Sequence, residues 1–282
     1  MPLDQLTILA PGLLGGSVAR AARARGVAGR IVIWARSRQV QQAVAGQPWC
    51  DQVADSAEAA VKDASLVVVA AHPDAIIELF KAIAPSVKPG AIVTDVGSIK
   101  GAIARAGQAT FGRRAHFVGS HPMAGSQLTG WQHGTAELFE RRTCFVTPLP
   151  DTQAAAVETV SRFWTNLGAA VVKTDPDTHD RIVAHISHLP QLLASSLCAF
   201  LAGRDGAWRA HAGNGLRDTT RIAASDPKLW KTILEMNQAE VVEALKAFQL
   251  ELAGLERALA KGDWDAVVAT LERGKEYRDG LH

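Results

Sequence analysis

Leu6-Thr7-Ile8-Leu9-Ala10-Pro11-Gly12-Leu13-Leu14-Gly15-Gly16-Ser17 is an apolar run that breaks into a glycine-rich turn and then opens a helical pattern. A strand feeding such a turn aims the first free N–H groups of the following helix at whatever lies beyond the strand end. This is how a dinucleotide pyrophosphate is held. The turn is a GxGxxG variant with Ala10 at the first glycine position. Gly12 allows close backbone approach to the pyrophosphate, with Leu13 and Leu14 beside it, and Gly15 allows the helix to pack on the strand.

Reading outward from this turn, short apolar runs alternate with helical patterns. The strand candidates are Leu6 to Leu9, Ile31 to Trp34, Leu66 to Ala70, Ala91 to Asp95, His116 to Gly119, Cys144 to Thr147 and Ala170 to Lys173. Helical patterns occupy Gly15 to Arg25, Ser56 to Lys62 and Asp74 to Ala84. That alternation predicts a parallel sheet wound by helices, a Rossmann-type doubly wound domain. After Thr174 the strand-like runs stop. The expected fold is therefore α/β over residues 1–174, followed by an all-α domain over 175–282.

In the second half, Ile182, Ile186, Leu189 and Leu193 line one helix face, and Pro190 is expected to kink that helix or start a new one. Ser187, Gln191 and Ser195 form the opposite, polar stripe. A long helix is expected from the Ser225-Asp226-Pro227 cap to Lys261, ended by Gly262, with Asp263 capping the last helix. Its stripe of Leu245, Phe248, Leu252, Leu255 and Leu259 is longer than a small domain can cover, which favours a homodimer.

The formal charge of +2 over 282 residues comes from interspersed acids and bases without a basic run. Nucleic acid and membrane surfaces are therefore not expected partners. The longest apolar stretch, Ser65 to Ala71, is too short to span a bilayer, and the N-terminus has no basic targeting region. Cys50, Cys144 and Cys198 lack metal-site spacing and are expected to be buried thiols of a cytoplasmic protein.

After the second strand, where an acid would bind the ribose hydroxyls of NAD, stand Arg36, Ser37 and Arg38. Guanidinium donors without a carboxylate suit a 2′-phosphate, so NADP is preferred, with NAD possible. His72, just past the third strand, is counted with the cofactor residues. Further along, Gly119-Ser120-His121-Pro122-Met123-Ala124-Gly125-Ser126 delivers one histidine into a small-residue segment. Pro122 disfavours helix at His121, which should be extended or in a turn. Gly125 lets the chain pass close to a ligand. Arg217 and Arg221 stand one helical turn apart, so both can face one carboxylate-bearing ligand.

Taken in order, the glycine loop, DVGSIK from Asp95 to Lys100, GSHPMAGS, SHLPQ from Ser187 to Gln191, and GLRDTTRIAASDP from Gly215 to Pro227 with Trp230 beyond it make a specific set. Over essentially the whole chain they resemble the prephenate and arogenate dehydrogenases of tyrosine biosynthesis. The resemblance implies oxidative decarboxylation of a cyclohexadienyl ring, with hydride transfer to NAD(P) and no metal. It implies that His121 takes the proton of the ring hydroxyl, that Ser98 shares that hydroxyl and orients the imidazole, and that Arg221 clamps the ring carboxylate, with Arg217 nearby. Ser126, Gln127, Ser187, Gln191 and Trp230 fall in the substrate pocket on the same ground.

Two positions depart from prephenate-specific relatives, which carry histidine at the place of Gln191 and often glutamate at the place of Gln127. A glutamine donates or accepts, and the missing histidine removes a repulsion toward the ammonium of arogenate. Two rivals share the scaffold. A β-hydroxyacid or 6-phosphogluconate type dehydrogenase needs a catalytic lysine in the helical domain, and a non-catalytic nucleotide sensor has no use for His121. The role of His188 is open between pocket residue and structural histidine.

Overall fold

The computed structural model describes residues 2–125 and 128–281. Six parallel strands build the first sheet: β1 (Leu3–Leu9), β2 (Ala28–Trp34), β3 (Gln52–Val53), β4 (Leu66–Val69), β5 (Ile92–Asp95) and β6 (His116–Phe117). They lie in the order β3-β2-β1-β4-β5-β6. Helices α1 (Leu13–Ala24), α2 (Arg38–Ala45), α3 (Ala57–Ala60), α4 (Pro73–Ile83) and α5 (Gly101–Phe111) make the crossovers. The chain moves outward from β1 to β3 and then restarts on the other side of β1 at β4. That reversal opens a crevice beyond the strand ends, where ligands of such sheets bind.

Two apolar layers close the sheet. Ile8, Val18, Ile31, Ile33 and Val68 pack on one face with Trp164, and Val67, Val69, Ile76, Phe80 and Ile103 on the other. Phe80 meets Phe111 and Phe117 edge-on with ring centroids 5.3 and 5.0 Å away. Strands buried on both faces read as continuous apolar runs, which is why β1, β2, β4 and β5 stand out in the sequence.

A second sheet departs from the expectation of one continuous parallel sheet. β7 (Gly119–Pro122) pairs antiparallel with β8 (Thr143–Thr147), which pairs parallel with β9 (Ala170–Lys173) after α6 (Ala154–Asn166). The expected strand from His116 to Gly119 is in fact the end of one sheet and the start of the other. β3 also escaped the sequence reading because two residues carry no periodicity.

The helical half begins at Asp175, whose carboxylate accepts the Thr178 N–H to cap α7 (Pro176–Val183). A π-helical turn, Ala184–His188, joins α7 to α8 (Leu189–Ala202), with Pro190 in the first turn of α8. Proline takes away a helical N–H and crowds the preceding turn, so the wider turn just before it accommodates the ring. The helix continues through, and the combined segment Pro176–Ala202 is long and apolar enough to cross a membrane by length and composition. A count of consecutive apolar residues does not register that property. Its cluster of Ala184 and Leu189 with Val241 and Ala244 is the small core of this half.

Beyond it come α9 (Asn214–Thr220), α10 (Pro227–Met236), α11 (Gln238–Lys261) and α12 (Trp264–Asp279). The single helix expected from the Asp226 cap to Lys261 is two, broken at Asn237. Leu245 and Phe248 pack on the small core, whereas Leu252 and Leu259 are each 49% exposed. The cysteines correct the expectation of three buried thiols: Cys144 is buried, Cys50 is half-buried and Cys198 is exposed.

Candidate active site

The glycine turn is built as a close approach. Ala10 adopts φ +65°, a left-handed conformation that alanine rarely takes, in the position where the motif has glycine. Gly12 has open space where a side chain would begin, whereas a Cβ on Gly15 would meet Ala10 O at 2.8 Å and Ala70 Cβ at 3.0 Å. Gly15 is thus the point where α1 rests on the strand ends, and Gly12 leaves open space beside the first turn of α1. Leu13 and Leu14 open α1, so their N–H groups belong to its unpaired first turn. His72 stands just past β4 at the N-terminal end of α4, without a side-chain capping bond, and its Nδ1 lies 3.4 Å from the Asp74 carboxylate.

Arg36, Ser37 and Arg38 are exposed at the end of β2, and Ser37 is the first residue before α2. Arg38 leans on Gln41 Oε1 at 3.2 Å and sits 3.8 Å from Asp55, while no ion pair involves Arg36 among the described residues.

His121 sits on β7 opposite Phe145 and is 9% exposed. Around it β5, β7 and α7 are tied by buried polar groups. Asp95, at the end of β5, pairs with Lys100 Nζ and accepts the Gly97 N–H at 2.8 Å and the Ser120 N–H at 3.2 Å. Lys100 Nζ also donates to Ser120 O at 2.9 Å. Burial pushes the carboxylate up and the ammonium down, and each opposes that drift in the other. The Ser120 hydroxyl donates to Asp95 O at 2.6 Å and accepts the Trp164 indole N–H at 2.9 Å. A lysine held this way is wholly buried and committed, unlike the free ammonium that a lysine-dependent dehydrogenase requires.

On its other side, His121 Nδ1 lies 2.9 Å from His179 Nε2, and His179 Nδ1 lies 2.8 Å from Asp180 Oδ1. The Asp180 carboxylate also accepts the N–H groups of Lys100 at 2.7 Å and Gly101 at 2.8 Å, the first free donors of α5. A Cβ at position 101 would stand 2.9 Å from Asp180 Oδ2, so glycine is what lets the carboxylate reach them. Burial, then the neighbouring His179, Lys100 and His188, hold His121 well below the ordinary imidazole range. Burial lowers His179 too, against the raising effect of Asp180.

The second half of the site hangs on Asn237. Its amide donates to Asp180 O at 2.8 Å and lies 3.2 Å from His188 Nδ1. His188, pushed down to about 4 chiefly by burial, packs edge-on to Trp230 with centroids 5.9 Å apart. His188 is therefore a buried, side-chain-bonded residue that carries Trp230 at its edge. Gln191, one helical turn on, is buried and donates from Nε2 to Ser195 Oγ at 3.2 Å. Ser187 is half-buried.

The remaining expected residues are placed less intimately. Ser98 is half-buried in the turn after β5 with no hydrogen bond to His121, whose Nδ1 is taken by His179. Arg217 on α9 and Arg221 in the following 3-10 turn are exposed, in no ion pair among the described residues, and that turn packs on α8. Ser126 and Gln127 lie outside the described residues. His179, Asp180 and Asn237 were missed by the sequence reading. The adjacent His-Asp pair at the start of a helix, two turns before SHLPQ, was the available signal.

A parallel sheet with a glycine turn at its switch point, and a buried neutral histidine at the junction with a helical domain, define a nicotinamide-dependent oxidoreductase. Residues 18–173 match the prephenate dehydrogenase nucleotide-binding domain, and residues 175–273 match the prephenate dehydrogenase dimerization domain. The chain belongs to the prephenate dehydrogenase family. It is 29% identical to a cyclohexadienyl dehydrogenase of Zymomonas mobilis, over 98% of this chain and 95% of the relative. The crystal structure of prephenate dehydrogenase from A. aeolicus with hydroxyphenyl propionate and NAD+ superposes with a TM-score of 0.93 at 26% identity, covering 100% of this chain and 99% of that one. Synechocystis arogenate dehydrogenase superposes with a TM-score of 0.87 at 25% identity, covering 99% and 100%.

Proposed function

We propose that this chain oxidatively decarboxylates arogenate, and prephenate as well, giving tyrosine or 4-hydroxyphenylpyruvate, with NADP preferred over NAD, as a cytoplasmic homodimer. The observation that carries the reading is His121, a buried imidazole held neutral and hydrogen-bonded, among the described residues, through Nδ1 alone. A neutral imidazole with a free nitrogen is the general base this reaction needs. When bound, the nicotinamide supplies the hydride acceptor. His121 receives the proton of the ring hydroxyl as that carbon is oxidised, and Ser98 shares the same hydroxyl. Arg221, with Arg217, holds the ring carboxylate that leaves as CO2, and aromatisation drives the step. Ser187 and Trp230 border the ring.

Substrate preference rests on Gln191. Its Nε2 donates one of its two hydrogens to Ser195 Oγ, and its carbonyl oxygen can accept from an ammonium. The second Nε2 hydrogen can also reach a side-chain ketone, so the tilt toward arogenate comes from the absence of a histidine that would repel the ammonium, with prephenate accepted as well. The cofactor preference rests on Arg36 to Arg38, an exposed turn with two guanidinium groups and no acid. The homodimer is supported by the exposed apolar residues of α8, α11 and α12, among them Phe200, Leu252, Leu259, Trp264 and Leu271.

Steady-state rates, followed by absorbance of the reduced nicotinamide and crossing prephenate and arogenate with NAD and NADP, test the reading. The expected ranking puts arogenate with NADP first. Equal or better turnover with NAD would refute the reading of the arginine turn, and no turnover in any combination despite tight cofactor binding would refute the reaction.

A further inference from the structure

The tautomer of His121 follows from its neighbours. Both oxygens of Asp180 accept backbone N–H groups, from Lys100 and from Gly101, and Oδ1 also faces His179 Nδ1. An oxygen already accepting from a peptide faces a ring nitrogen as an acceptor, so His179 Nδ1 carries the proton and donates it. Neutral His179 then has its lone pair on Nε2, which lies 2.9 Å from His121 Nδ1. That contact has one consistent assignment: His121 Nδ1–H donates to His179 Nε2. The lone pair of His121 is left on Nε2, the nitrogen with no hydrogen-bond partner among the described residues.

We propose that His179 and Asp180 are positioning residues that fix His121 as the Nδ1–H tautomer and so arm Nε2 as the base. The inference deepens the catalytic reading of His121 and rests on it. His121 belongs to β7 of the nucleotide-binding half, whereas His179 and Asp180 belong to α7 of the helical half. The base is therefore complete only when α7 is docked against the start of α5. In the reaction, the O–H bond of the ring hydroxyl breaks as an N–H bond forms at His121 Nε2. The positive charge on that ring is stabilised through its Nδ1–H to His179, with the Asp180 carboxylate one residue further on. No proton leaves the chain of three groups during the step.

Two variants separate positioning from simple packing. His179→Gln keeps an acceptor oxygen near the place of Nε2, while His179→Asn reaches Asp180 but falls short of His121. The expected kcat of His179→Asn is lower by about 10²- to 10⁴-fold, with KM and cofactor affinity within about threefold of the parent, as for loss of the correct tautomer in other His bases. His179→Gln recovers kcat to within about tenfold of the parent. Nitrogen-15 NMR of the imidazoles in the unmodified protein reads the tautomer directly, with His121→Asn assigning the signal. A protonated Nδ1 and bare Nε2 at His121 supports the proposal, and the opposite tautomer overturns it. Parent-like kcat in His179→Asn also overturns it. If the unmodified protein turned over none of the proposed substrates, the reaction reading would fall while the NMR assignment would stand, so the two failures are distinguishable.

Discussion

At the scale of single residues, the energetics of the site turn on one lone pair. His121 is almost wholly buried, and burial favours its neutral form before any neighbouring charge acts. His121→Asn removes the proposed base while nearly preserving size and polarity. Its kcat is expected to fall by about 10²- to 10⁴-fold with cofactor affinity unchanged, measured by steady-state kinetics beside a cofactor titration. Arg221→Ala should instead raise KM with a smaller effect on kcat, because the clamp proposed for this exposed guanidinium would act in ground and transition states alike. A kcat loss without a KM rise in that variant would remove Arg221 from substrate binding.

Several of these residues are legible in the chain. His121 announces itself by Pro122 and its small neighbours, and Gly12 and Gly15 by their spacing after an apolar run. His179 does not, because a His-Asp dipeptide in a helix is ordinary until tertiary structure sets Asp180 against the N–H groups of Lys100 and Gly101. Ser98 shows the converse. Its motif is plain, yet the contact with the imidazole belongs to a residue some eighty positions later.

At the scale of elements, the break between α10 and α11 has a clear cause. Nothing in the local pattern from Pro227 to Lys261 stops a helix, since asparagine costs only a few tenths of a kcal/mol more than average there. The stop is tertiary: Asn237 leaves helical geometry, at φ −121° and ψ 27°, and its amide bonds to Asp180 O and reaches His188. Asn237→Ala strands a buried carbonyl and a buried ring nitrogen. It should destabilise the protein by about 1–3 kcal/mol in denaturant unfolding, and the loss should appear without a change in cofactor binding. An unchanged midpoint would mean the two helices are separated for another reason. The π-helical turn before Pro190 is the opposite case, where the sequence announces a disturbance and the structure decides its form.

At the scale of the whole molecule, three buried histidines couple stability to pH. His121, His179 and His188 are all held below the ordinary imidazole range, chiefly by burial. The unfolded chain takes a proton on each near pH 6.5, while the folded chain does not until the pH is lower. Stability is therefore complete above about pH 6.5 and declines as pH falls toward the folded-state values, by about 1.4 kcal/mol per pH unit for each histidine. Denaturant unfolding at about pH 7.5 and about pH 5 should differ by at least about 2 kcal/mol in favour of the higher pH. A flat profile would mean that these rings are solvated or already charged in the native protein.

What the sequence determined by itself is whatever local order dictates: the apolar strands of the parallel sheet, the glycine turn after β1, the caps at Asp175, Asp226 and Asp263, and the segment that carries His121. Each depends on neighbours a few residues away, through periodicity, backbone freedom or a side-chain cap. The tertiary structure alone decided that His116 to Pro122 is shared between two sheets, that the long helix breaks at Asn237, and that His121 is partnered by His179 and, through it, linked to Asp180. Those outcomes depend on hydrogen bonds between groups far apart in the chain. A buried polar group must find its partner wherever the fold brings one, and no local pattern records which one that will be.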